Sequence, residues 1–173
     1  MAATQRLRQG VRALLAFTRT VDSDLAAEYL SPQQMMLFNQ MNRSEQLHSL
    51  NVLRDVLDQG QTPDDLAVAA LLHDVGKICY PLAIWQKTIA VLVKAFVPSL
   101  FERWSRGSPA NLWVRAFAVN VQHPTWSAEL VTQADASERA VWLIAHHADA
   151  LSQWTDHMYW ELLNRLQQAD NQN

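Results

Sequence analysis

Turn-forming residues are scarce in this chain, with four glycines and six prolines for 173 positions. An all-β chain needs a turn every few residues, so long helices are favoured. The 49% hydrophobic and 18% charged residues can supply one substantial core and argue against disorder. Two cores drawn from this length would each be marginal. The expected fold is all-α, one domain over 1–173.

Helix signals divide the chain. Ser31-Pro32 and Thr62-Pro63 each read as an N-cap followed by proline at the first helical position. The first opens a helix through Met36 and Phe38. A second helix, from about Arg43, carries Leu47, Leu50, Leu53 and Leu57 and stops at Gly60. From Pro63 the stripe Leu66, Ala69, Ala70, His73 keeps helical spacing, with Gly76 as its expected end. Ser137 caps a helix through Val141, Leu143, Ile144 and His147. The last helix is expected from about Thr155, with Tyr159, Leu163, Leu166 and Asp170 on one face. Residues 98–122 hold Pro98, Gly107 and Pro109 and read as short helices joined by irregular chain.

The formal charge of −3 lacks the basic excess of a general nucleic-acid binder, so no duplex partner is expected. Cys79 is the only cysteine, which excludes an intramolecular disulfide and a cysteine-rich zinc site and fits a reducing cytoplasm. It reads as a buried small hydrophobe. In Leu82–Val97 the polar positions are essentially Gln86, Lys87 and Lys94. Such a helix is buried nearly all round, paired with a second copy in a homodimer, or laid weakly on the inner membrane face. The membrane alternative draws on the N-terminus, where Leu7, Val11, Leu14 and Leu15 share a face among Arg6, Arg8, Arg12 and Arg19. The seven tryptophans read as core or interface material.

Chemistry concentrates in six histidines: His48, His73, His123, His146, His147 and His157. His73 falls on the apolar stripe of one helix and Asp170 on that of another. A carboxylate on a core face costs several kcal/mol unless its charge is compensated. A divalent metal compensates it, and neutral imidazole is its commonest companion ligand. Five histidines with Asp74 and Asp170 suffice for two metals that each keep a place for water.

At these residues the sequence resembles the HD-domain superfamily of metal-dependent phosphohydrolases, in its multi-histidine branch. The resemblance runs from about Ser44 to Asp170. It comprises Gln-Leu-His-Ser (46–49), Leu-Leu-His-Asp-Val-Gly-Lys (71–77), His-Pro-Thr-Trp-Ser-Ala-Glu-Leu (123–130), Ile-Ala-His-His-Ala-Asp (144–149) and Gln-Gln-Ala-Asp (167–170). It implies a helical bundle with metal-binding core 43–170, N-terminal helices over 1–42 and an apolar helical insertion around 82–104. By the same resemblance His48, His73, Asp74 and Asp170 hold one divalent ion. Asp74 bridges to a second, held by His123, His146 and His147, the ions being Fe, Mn, Co, Ni or Mg. Asp74 and Lys77 are the implied catalytic residues, with Lys77 meeting a substrate phosphate. His147 is alternatively a substrate-facing or supporting residue, and Asp156, read as lying in the first turn of the last helix, is the rival of Asp170.

The chain departs from that branch in lacking a Gly-Tyr-Pro loop after the paired histidines. Ser44 replaces an acid, Ala148 precedes Asp149 where an acid directly follows the pair, and Ser127 replaces a common glycine, a change expected to be harmless. The resemblance therefore extends to the two-metal core and not to cyclic-di-GMP hydrolysis. The implied activity is hydrolysis of a nucleotide, cyclic nucleotide or other phosphate ester, with a phosphate-containing small molecule as partner. A di-iron oxygenase on the same scaffold and a catalytically silent interaction module are the alternatives.

Overall fold

The computed structural model describes residues 20–173, and the N-terminal apolar and arginine pattern lies outside them. Among the described residues there are nine α-helices, two short 3-10 segments and no strand. The all-α expectation holds, and the bundle is organised around its most apolar helix.

That helix, α4, is the fourth in chain order and spans Asp64–Leu72. Every residue from Leu66 to Leu72 is buried, as a helix apolar on all sides requires. Around it pack α3 (Arg43–Asp58), α8 (Glu138–His146) and α9 (Trp160–Gln172). Leu50, Leu53, Leu143, Ile144, Leu163 and Leu166 supply fully buried side chains to this core. Two smaller helices precede it, α1 (Ser23–Ala27) and α2 (Pro32–Gln40). Ser31 caps α2 as expected: its hydroxyl accepts from Gln34 N–H while Gln34 Oε1 accepts from Ser31 N–H. Ser137 likewise accepts from Ala140 N–H at the start of α8.

The α3–α4 turn fixes where the first histidine stands. Gly60 has φ of +119°, a conformation that costs glycine little. Arg165 of α9 locks the turn by donating to the carbonyls of Val56 (3.0 Å) and Gln61 (2.9 Å) and to the hydroxyl of Thr62 (3.1 Å). Thr62 does not cap α4. Its hydroxyl turns back to the Val56 and Gly60 carbonyls, and Pro63 becomes the residue before the helix.

Two boundaries differ from expectation. The α4 helix ends at Leu72 rather than near Gly76, and a 3-10 segment, Val75–Cys79, follows. Gly76 marks a close approach instead of a stop. A Cβ there would collide with the His123 carbonyl oxygen and lie 2.6 Å from the Ser127 amide nitrogen, both on α7 (Arg115–Gln133). The last helix begins at Trp160, so Asp156 is an exposed residue of the preceding turn and not part of the helix. In that turn His157 stacks on Trp142, with ring centroids 3.9 Å apart and planes 3° from parallel, and this packing holds the chain off helical register. Cys79 is exposed, because the 3-10 segment turns Val75 and Gly76 inward and leaves its last residues at the surface.

The insertion forms two helices, α5 (Ile84–Phe96) and α6 (Pro98–Ser105), packed on α7. They build a small core of their own from Ala90, Phe101, Ala116 and Phe117, with Phe101 and Trp104 edge-on to Phe117. The α5 helix is not buried nearly all round, since Trp85, Leu92 and Phe96 are 59%, 50% and 78% exposed. Among the described residues no helix is long and apolar enough to cross a membrane.

Candidate metal centre

Five elements deliver side chains to one place. His48 comes from the first half of α3, His73 from the residue that closes α4, and Asp74 from the junction with the 3-10 segment. His123 comes from the middle of α7, His147 from the residue closing α8, and Asp170 from the last turn of α9. Helix ends matter because adjacent helical residues point about 100° apart. By leaving the helix at Leu72 the chain lets His73 and Asp74 reach the same point.

Asp74 lies between two histidine pairs. Its Oδ2 is 3.6 Å from His73 Nε2 and 3.9 Å from His48 Nε2. Its Oδ1 is 3.1 Å from His123 Nε2 and 3.9 Å from His147 Nε2. Asp170 Oδ1 closes the first group, 3.0 Å from His48 Nε2 and 3.7 Å from His73 Nε2. Lys77 donates to Asp74 Oδ2 at 2.5 Å.

Backbone carbonyls fix the rings. The Nδ1 atoms of His73, His123 and His147 lie 3.1, 2.9 and 2.7 Å from the carbonyls of Ala70, Val119 and Ile144. A carbonyl only accepts, so each Nδ1 carries the proton and each Nε2 presents a lone pair to the cluster. His123 Nε2 and His147 Nε2 stand 3.1 Å apart, and His48 Nε2 and His73 Nε2 3.3 Å apart. Two lone pairs facing each other at 3.1 Å repel unless a cation lies against both. The donor set thus fits divalent metal: His48, His73 and Asp74 form one possible group, with Asp170 at its edge, and Asp74, His123 and His147 form another.

The electrostatics agree. Burial alone would raise the carboxyl pKa of Asp74, but the Lys77 ammonium and the His73 and His123 imidazoles hold it well below the usual range. Asp170 is also held low, as the His48 and His73 imidazoles beside it outweigh its burial. Burial together with the neighbouring His73 and His123 pushes His147 down to about 3, so it stays neutral and ready to ligate. His73 is buried as well, yet Asp74 and Asp170 outweigh that penalty and raise it above its ordinary value. A metal at this site competes with a proton for His73 Nε2. Metal affinity should rise as pH increases and that competition weakens, with proton release accompanying binding. Calorimetric titration in two buffers of different ionisation enthalpy counts the protons, and pH-independent affinity would contradict the assignment.

His146 is not in the cluster. Once His147 points inward, the preceding residue must point elsewhere, and His146 Nδ1 pairs with Asp149 Oδ2 at 2.7 Å. Its ring packs between Trp142 and Trp154, and Trp154 Nε1 donates to the same Asp149 oxygen. The displaced acid at 149 thus holds the displaced histidine. Ser127 is more than a tolerated replacement for glycine: its buried hydroxyl accepts the Gly76 N–H at 2.8 Å and ties the 3-10 segment to α7.

A cavity of about 970 Å³ opens over the cluster. Among its lining residues are Glu45, Asn120 and Gln167, to which the sequence motifs assign no role. Glu45 lies one turn before His48 and is buried, its Oε1 paired with Lys87 at 2.8 Å and its Oε2 without a hydrogen-bond partner. A buried acid three residues from a candidate ligand was the available signal.

Comparison with known proteins gives one finding: the family model of the HD domain matches residues 46–171. No curated protein and no solved structure matches the chain.

Proposed function

The chain belongs to the HD-domain family, and from that premise we propose that it is a divalent-metal-dependent phosphohydrolase acting on a small phosphate ester. The observation that carries the reading is Asp74, whose two oxygens face two separate imidazole pairs while Lys77 reaches the same carboxylate. His48, His73, Asp74 and Asp170 would hold one ion and Asp74, His123 and His147 a second. Two such ions supply a water of lowered pKa and neutralise charge on phosphoryl oxygens.

The residues around them have separable tasks. The Ala70, Val119 and Ile144 carbonyls keep three imidazoles in the ligating tautomer. Asp74 sets the spacing of the two groups. Lys77 is 29% exposed at its side chain and lines the cavity, so its ammonium can turn from Asp74 to a non-bridging phosphate oxygen. An ammonium beside the shared carboxylate favours an anionic ester over dioxygen as the reactant.

Protein purified without oxygen and loaded with Mn, Fe or Co should turn over members of a panel of phosphomonoesters and phosphodiesters, and chelation should abolish that turnover. Lys77→Ala should retain its metal while KM rises about tenfold, since a point charge contributes binding without coordination. Depleted metal in that variant would contradict the separation of roles. Loaded wild-type protein that hydrolyses nothing would overturn the reading.

A further inference from the structure

The metal cluster occupies one side of its cavity, and α5 forms another wall. That helix is apolar apart from Gln86, Lys87, Thr88 and Lys94. Lys87 and Lys94 are seven residues apart, two turns and about 10 Å along the axis. Both line the same cavity as Asp74 and Lys77. The insertion thus sends two of its few polar side chains towards the site.

The two lysines differ in their partners. Lys87 is balanced by Glu45 at 2.8 Å. Lys94 has no carboxylate partner among the described residues; its Nζ lies 3.4 Å from Asn120 Oδ1 and 5.3 Å from the centre of the Phe101 ring. The acids across the cavity are already engaged, Asp74 and Asp170 by the histidines and Lys77, and Asp149 by His146 and Trp154. The α5 wall therefore carries a cation without a counter-charge, beside Asn120, whose amide N–H₂ has no acceptor among the described residues. At about 970 Å³ the cavity is at the upper end of small-molecule sites and far larger than one phosphate needs.

We propose that Lys94 and Asn120 form a second anion subsite, so that the substrate is a small molecule carrying two phosphate groups, one at the metal cluster and one against α5. The ammonium pairs with the distal phosphate, and the Asn120 amide donates to the same group. The proposal deepens the phosphohydrolase reading and rests on it only for the placement of the first phosphate.

Equilibrium dialysis of the full chain, loaded with Mn, against AMP and adenosine 3′,5′-bisphosphate separates the two ideas. The bisphosphate should bind about tenfold tighter than AMP, the scale of one charge-assisted contact. Lys94→Gln should reduce that preference to about onefold with AMP affinity unchanged, and Lys94→Arg should restore most of it. A bisphosphate that binds no tighter than AMP, or a Lys94→Gln protein that loses affinity for both equally, overturns the subsite and leaves the metal reading standing. AMP binding that is the same with and without Mn overturns the metal reading, whereas a Lys94-dependent preference in that experiment still supports the subsite.

Discussion

Asp74→Ala is expected to lose at least one metal per chain and to reduce phosphate-ester turnover to background. Among the described residues its carboxylate is the only group that faces both imidazole pairs, with Oδ2 towards His48 and His73 and Oδ1 towards His123 and His147. Without it the first group keeps two imidazoles and Asp170, and the second keeps imidazoles alone against a divalent charge. Removing a group that merely supports a ligand costs roughly 10–100-fold in metal affinity or activity, so removal of a shared ligand should exceed that. Lys77 also loses its partner and becomes an uncompensated cation at the same point. His146→Ala is the control, because His146 pairs with Asp149 and packs on Trp142 and Trp154 away from the cluster. Elemental analysis should find its metal content unchanged while Asp74→Ala is depleted. Two metals retained in Asp74→Ala would contradict the shared-ligand assignment.

Gly76→Ala should be the most damaging substitution at a position that is not itself a candidate ligand. A single methyl group there meets backbone, the His123 carbonyl and the Ser127 amide, which cannot move without shifting α7. Overpacking typically costs about 1–3 kcal/mol, and a rigid neighbour places this site at or above the upper end. The displacement would also reach the chemistry, since His123 is one of the residues struck and Asp74 is two positions away. Thermal unfolding should give a Tm lowered by several degrees, with metal affinity reduced in the protein that remains folded. Ser127→Ala, which removes the acceptor for the Gly76 N–H and adds no bulk, should cost about 1–3 kcal/mol through the orphaned buried amide. A Gly76→Ala protein as stable as wild type would mean that the 3-10 segment does not bear on α7 as described.

Much of the bundle was legible because its signals are local. Ser31, Ser137 and Gly60 act through the chain's own next turn, and α4 declares itself by an unbroken apolar run. Gly76 was misread for the opposite reason. A glycine after a helical stripe looks like a stop, and only the tertiary contact with α7 explains it. The late start of α9 has the same origin, because the stacking of His157 on Trp142 overrides a helical pattern that begins at Thr155. At the site, residue types and their order pointed to metal, and the structure brings together His48, His73, Asp74, His123, His147 and Asp170. Choosing between His146 and His147 required knowing where α8 ends and which way its last residue turns. Lys87 and Lys94 were visible as the charged exceptions on an apolar helix, but what that face meets depends on α3 and α7, which sequence spacing does not encode.

Whether two metals drive hydrolysis is read from turnover measured against metal bound per chain, by adding Mn stepwise to metal-free protein and assaying each fraction with a phosphate ester that the panel identifies. Binding should saturate at two ions per chain, with activity appearing chiefly as the second ion is taken up. Saturation at two ions without hydrolysis of any ester, or full activity in metal-free protein, would contradict it.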